Sequence, residues 1–140
     1  MNAANACRLV VLLTVITVSL RAATIRIHVV DGRNGKTITK ERVQVWIDSS
    51  TGSALSLIPG PDGIAVLEAP EGSSIYIASN LYVDCRPFEK AAPSQAYSID
   101  AIERDGVATR NACGKMNVEA RRGELVFYVR PIRLWEGTRR

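Results

Sequence analysis

Thr24–Val30 reads TIRIHVV, with apolar Ile25, Ile27 and Val29 alternating with Arg26 and His28. Successive side chains of an extended chain point to opposite faces, so a period of two marks a half-buried strand. Asp31-Gly32-Arg33-Asn34-Gly35-Lys36 follows, with two Gly-containing pairs that signal a turn. Val43–Ile47 (VQVWI) alternates again, with Val43, Val45 and Ile47 facing inward. The stretch 48–63 is a loop rich in Ser, Gly and Pro, broken by a short edge strand near 54–58 and closed by Pro61-Asp62-Gly63. Ile64–Glu68 is the next strand, Ala69-Pro70-Glu71-Gly72 a turn, and Ser74–Ser79 (SIYIAS) another strand. Short strands at intervals near ten residues point to an all-β sandwich.

Working toward the N-terminus, the texture changes abruptly. Leu9–Leu20 is an apolar run of twelve residues without charge, Gly or Pro, preceded by Arg8 and followed by Arg21, Ala22 and Ala23. That layout is expected to be an export signal over residues 1–22, cut near Ala22. As a helix the run would rise only about 18 Å, against a hydrocarbon core of about 30 Å. The expected product is a single domain, 23–140, acting in the periplasm or outside the cell. Membrane contact is expected only if the apolar segment stays attached.

Two properties of the chain shift with that segment. The formal charge of +4 falls to +2, because residues 1–22 hold Arg8 and Arg21 and no acid. The basic pI is therefore no argument for nucleic-acid binding. Three cysteines become two, Cys85 and Cys113, and an even count in an exported chain predicts a disulfide. Closing that loop is worth about 3–4 kcal/mol in the chain-entropy picture.

Toward the C-terminus, Ser98–Asp105 is expected to form a short helix, with Ser98 as its N-cap and Gly106 as its stop. Glu124–Arg130 (ELVFYVR) is the last and most apolar strand, ended by Pro131.

The stretch from Ile25 to Ile77 resembles the transthyretin-like or carboxypeptidase-regulatory-like β-sandwich domains. The likeness rests on Asp31, Gly35-Lys36, Val43-Gln44-Val45, Pro61-Asp62-Gly63-Ile64, Pro70-Glu71-Gly72 and Ile75-Tyr76-Ile77. It implies a seven-stranded, immunoglobulin-like Greek-key sandwich acting as a non-catalytic module. The family-like part would span 25–84, followed by a disulfide loop 85–113 and the C-terminal strand with its arginine-rich tail. The layout as a whole is similar to small exported bacterial proteins.

Chemistry-bearing patterns are few. His28 is the only histidine, and a catalytic triad or most zinc sites would need partners for it. Asp100, Glu103 and Asp105 cluster on the expected helix, and Asp48 and Asp62 flank the Ser/Gly loop. No serine has a nucleophile context and no phosphate-binding glycine loop occurs. The expectation is a non-enzymatic protein without cofactor or metal. The most unusual segment is 121–140, with six arginines and two glutamates. Arginine without lysine suits bidentate contact with carboxylate or phosphate. Arg121, Arg122, Arg130, Arg133, Arg139 and Arg140, with Trp135, are therefore the candidate contact residues for an anionic protein or glycan partner in the envelope. Trp46 is the residue to watch for a carbohydrate-binding face, and a small hydrolase is a more distant alternative.

Overall fold

The structure, a computed structural model, describes Ser19 and residues 21–87 and 95–136. The expected export segment lies outside these residues apart from Ser19, Arg21 and Ala22, as do Arg139 and Arg140. Nine strands occur among the described residues, where seven were expected: β1 Ala22–Asp31, β2 Val43–Ile47, β3 Leu55–Leu57, β4 Ile64–Pro70, β5 Ser74–Ser79, β6 Val83–Asp84, β7 Tyr97–Ser98, β8 Val107–Ala108 and β9 Glu124–Arg130. Three of them are only two residues long, too short to leave a periodic trace in the sequence. Helix α1, Ile99–Asp105, begins where Ser98 Oγ accepts the Ala101 N–H and ends at Gly106, as expected.

The strands form two sheets. One has the order β4-β1-β9-β6, with β8 also on β9, and the other β3-β2-β5-β7. β1 pairs antiparallel with β4 and parallel with β9. The stretch 25–84 is thus not self-contained, because β9 enters its first sheet between β1 and β6. Ile25, Ile27, Leu67 and Phe127 from one sheet meet Val43, Val45, Ile75 and Ile77 from the other in a single core. Fully burying one such side chain stabilises by about 1.5–3 kcal/mol, which is why the alternating residues set the register.

β9 departs from alternation because both its faces are covered. Leu125, Phe127 and Val129 enter the inter-sheet core. Val126 and Tyr128 point the other way and join Val30 and Cys85 in a second cluster, roofed by Cys113, Val118 and Ala120. The Tyr128 hydroxyl accepts the Val118 N–H at 2.5 Å, which pins that roof down. The chain from 109 to 120 is therefore an outer layer over the first sheet.

Glycine is required where two segments press together. Gly63 has φ +73°, and a Cβ there would lie 2.0 Å from Thr37 Cγ2. Glu41, fully buried, takes the place of a turn partner: its Oε1 accepts the Asn80 and Leu81 N–H groups at 2.8 and 3.1 Å.

Candidate functional site

Cys85 and Cys113 are joined, with Cα atoms 5.2 Å apart. The bond is bracketed by backbone contacts: Cys85 N–H donates to Tyr128 C=O at 3.1 Å and Ala112 N–H to Cys85 C=O at 2.7 Å. The next residue, Arg86, turns inward and its side chain is wholly buried. Its guanidinium donates to both Asp84 carboxylate oxygens and, at 2.6 Å, to Ile77 C=O. It also lies 5.4 Å from the Phe127 ring and 5.8 Å from that of Tyr97. Burial opposes the charged form of Arg86, but the Asp84 carboxylate more than offsets it and its pKa is raised.

Pro131 ends β9 and the tail folds back. Arg133 N–H donates to Glu136 Oε2 at 3.0 Å, and Glu136 N–H to Arg133 C=O at 2.9 Å. The Glu136 carboxylate meets Arg130 bidentately, at 2.8 and 2.7 Å. The Arg130 hydrogen bonds, then the Arg133 N–H, hold its pKa at about 2. The Arg133 guanidinium sits 5.7 Å from the Trp135 ring, and Trp135 is 61% exposed. Beside this tail lies an open cleft of about 420 Å³, lined by Asp84, Cys85, Cys113, Arg130, Arg133 and Trp135 among others.

The structure divides the arginine region that the sequence suggested. Arg121 and Arg122 stand in the turn before β9, whereas Arg130 closes its other end and Arg133 and Trp135 stand beyond it. Six steps of strand separate the ends, roughly 20 Å at about 3.3 Å per residue. That exceeds a Debye length of about 8 Å in physiological salt, so the two groups act separately. Arg121 and Arg122 share a depression with Asp105 and Glu119, which offset their charge.

The remaining candidates are used locally. Asp100 accepts the Gly72 N–H, Asp48 the Ser74 N–H, and Asp62 the Ile64 N–H. The Trp46 indole N–H donates to Gly52 C=O, and the ring is half-buried under its own loop. No group of three His, Cys, Asp or Glu able to hold a metal occurs among the described residues. His28 does have partners, Glu124 and Thr37, at 3.0 and 3.1 Å. They lie 96 and 9 residues away, so no sequence spacing announced them. Arg86, Asp84 and Glu136 were likewise unmarked.

Fold and site define a disulfide-bonded β-sandwich with an arginine–aromatic cleft at one end. No helix of the described residues is long and apolar enough to cross a membrane. No known protein family, characterised protein or solved structure matches this chain.

Proposed function

We propose that this chain is an exported binding module that holds an anionic envelope partner, with an acidic glycan as the preferred class, in the cleft at the Arg130 end of β9. The observation that carries this is the convergence of Arg130, Arg133 and Trp135 on one open cleft beside the disulfide. Arg130 is already matched by Glu136, so it shapes the wall. Arg133 offers its donors, and the exposed Trp135 ring offers a flat apolar face on which a sugar ring packs. The disulfide supports export, since such bonds persist in oxidising compartments. Two sheets around one core, with left-handed glycines at 35, 63 and 72 in the family's turn positions, support a transthyretin-like sandwich. Among the described residues the first and last strands lie side by side, which favours that layout over the immunoglobulin constant one.

The test is binding of the mature protein to alginate, an acidic polysaccharide, and to a neutral dextran at low salt. The double variant Arg133→Ala/Trp135→Ala is expected to weaken alginate binding about tenfold, roughly the loss of one charge-assisted contact. Arg121→Ala/Arg122→Ala, at the far end, is expected to leave it within about twofold, as for surface charges beyond a Debye length. Equal retention of dextran and alginate, or equal loss in both variants, overturns the proposal.

A further inference from the structure

The imidazole of His28 lies between a carboxylate and a hydroxyl. Nδ1 is 3.0 Å from Glu124 Oε1, and Nε2 is 3.1 Å from Thr37 Oγ1. An ionised carboxylate only accepts, so the neutral ring carries its proton on Nδ1. Nε2 then presents a lone pair, and the Thr37 hydroxyl donates to it. That tautomer and orientation are what a general base needs beside a nucleophile.

Each member is held by backbone. His28 lies within β1 and Glu124 opens β9, with its side chain only 9% exposed. The second Glu124 oxygen accepts the Arg121 N–H at 3.3 Å, which fixes the carboxylate plane. Thr37 is bracketed by Asp31 N–H to Lys36 C=O at 2.8 Å and Ile38 N–H to Val29 C=O at 2.9 Å. Gly63 packs against its methyl group. In that pairing the Thr37 N–H points away from β1, so it is the candidate donor to the oxyanion that forms on the substrate's carbonyl oxygen when Oγ1 attacks. The Thr37 side chain is exposed, and a depression of about 230 Å³ lined by Arg26, His28, Ile64, Val118 and Glu124 lies beside the ring.

We propose that Thr37, His28 and Glu124 form an acyl-transfer site that hydrolyses small carboxylic esters through an acyl-threonine. It goes beyond the binding cleft and does not depend on it. Thr37 Oγ1 attacks the ester carbonyl carbon as His28 Nε2 takes its proton. The tetrahedral intermediate collapses with cleavage of the bond to the alcohol oxygen, and His28 returns the proton to the departing alcohol. Water then attacks the acyl-threonine and gives a proton to Nε2. The bond to Thr37 Oγ1 breaks, Oγ1 recovers the proton, and the carboxylic acid leaves. Thr37 and His28 are the catalytic residues, and Glu124 is a positioning residue.

The experiment is 4-nitrophenyl acetate hydrolysis by the disulfide-bonded protein, followed by mass analysis of the acylated chain. An acetyl group is expected on Thr37. Thr37→Ala is expected to abolish the acylation while keeping the melting temperature, and Thr37→Ser to retain it. His28→Ala is expected to lower the rate about 100-fold. Glu124→Gln is expected to lower it at least about tenfold, with partial rescue by Glu124→Asp. Unchanged hydrolysis in Thr37→Ala, acetyl found only on lysine, or a rate equal to that of free imidazole overturns the proposal.

Discussion

The two ends of β9 are held by different forces. At the Arg130 end a covalent bond, a buried Arg86–Asp84 pair and a bidentate Arg130–Glu136 pair converge. At the Glu124 end the ties are mainly backbone: Arg26 N–H to Gly123 C=O at 2.9 Å, and Gly123 N–H to Ile102 C=O at 2.8 Å. The first end spends its charges on its own structure and leaves Arg133 and Trp135 facing outward. The second leaves an imidazole and a hydroxyl facing solvent from rigid backbone. A count of tail arginines cannot distinguish these uses, because what matters is which carboxylate each one meets.

Loss of the disulfide is the strongest way to break the contrast. Replacing Cys85 and Cys113 by Ser is expected to cost about 3–4 kcal/mol in the chain-entropy picture, which lowers the melting temperature of a domain this size by roughly 10 °C or more. Thermal unfolding with and without reductant measures it. Hydrogen exchange sharpens it: amides of 83–86 and 109–113 should open before those of Arg26 and Gly123. If the Glu124 end opens first, the covalent bond is not what holds the Arg130 end.

Arg86→Met comes next. Methionine fills the space but removes the guanidinium that donates to Asp84, the Tyr97 hydroxyl and Ile77 C=O, leaving Asp84 the Arg86 backbone N–H. Stranding partly buried acceptors of a charged group costs about 2–3 kcal/mol. Adding Asp84→Asn should recover part of that loss, a coupling that a double-mutant cycle reads directly. Strict additivity would mean that Arg86 acts through its rings alone.

Residues whose partners are local were legible in the sequence. Ile25, Ile27 and Val29, the α1 cap at Ser98 and the turn glycines all follow from spacing of two to four residues. The disulfide was legible because only two cysteines remain once the expected export segment is set aside. What stayed hidden depends on chain crossing. β9 looked like one more strand, and its double-sided burial appears only when 109–120 folds over Tyr128. Nothing in the sequence marked Arg86, and only the sheet geometry turns it between two rings. Arg121 and Arg122 stand apart from Arg130, Arg133 and Trp135 for the same reason: a seven-residue strand places neighbours in sequence at its opposite ends. His28 looked isolated because Glu124 reaches it across a parallel pairing.

A smaller effect tests the roof rather than the ends. Tyr128→Phe keeps the ring in its cluster but removes the acceptor for Val118 N–H. The expected cost is about 1 kcal/mol, the net worth of one hydrogen bond plus partial desolvation of its partner. Denaturant titration should show the midpoint fall with an unchanged slope, because the surface exposed on unfolding is the same. A changed slope would mean that the 109–120 layer has detached.

Glu136 gives the smallest effect and isolates one contact at the Arg130 end. Its ordinary carboxyl value is 4.5, and hydrogen bonds from Arg130, then from the Arg133 N–H, lower it to about 2. A depressed folded value means that the unfolded chain binds the proton more readily. The stabilisation is therefore complete above about pH 4.5 and is lost as the pH falls toward 2. The carboxylate is partly exposed, so salt screens this contribution and a high ionic strength should shrink it. A carbon-detected NMR titration should place the Glu136 midpoint near 2 in the intact protein. With Arg130→Ala it should move back toward the ordinary range. A midpoint that stays low in Arg130→Ala would assign the shift to the Arg133 N–H and leave Arg130 free to face the cleft. The proposed binding cleft would then hold two available arginine side chains instead of one.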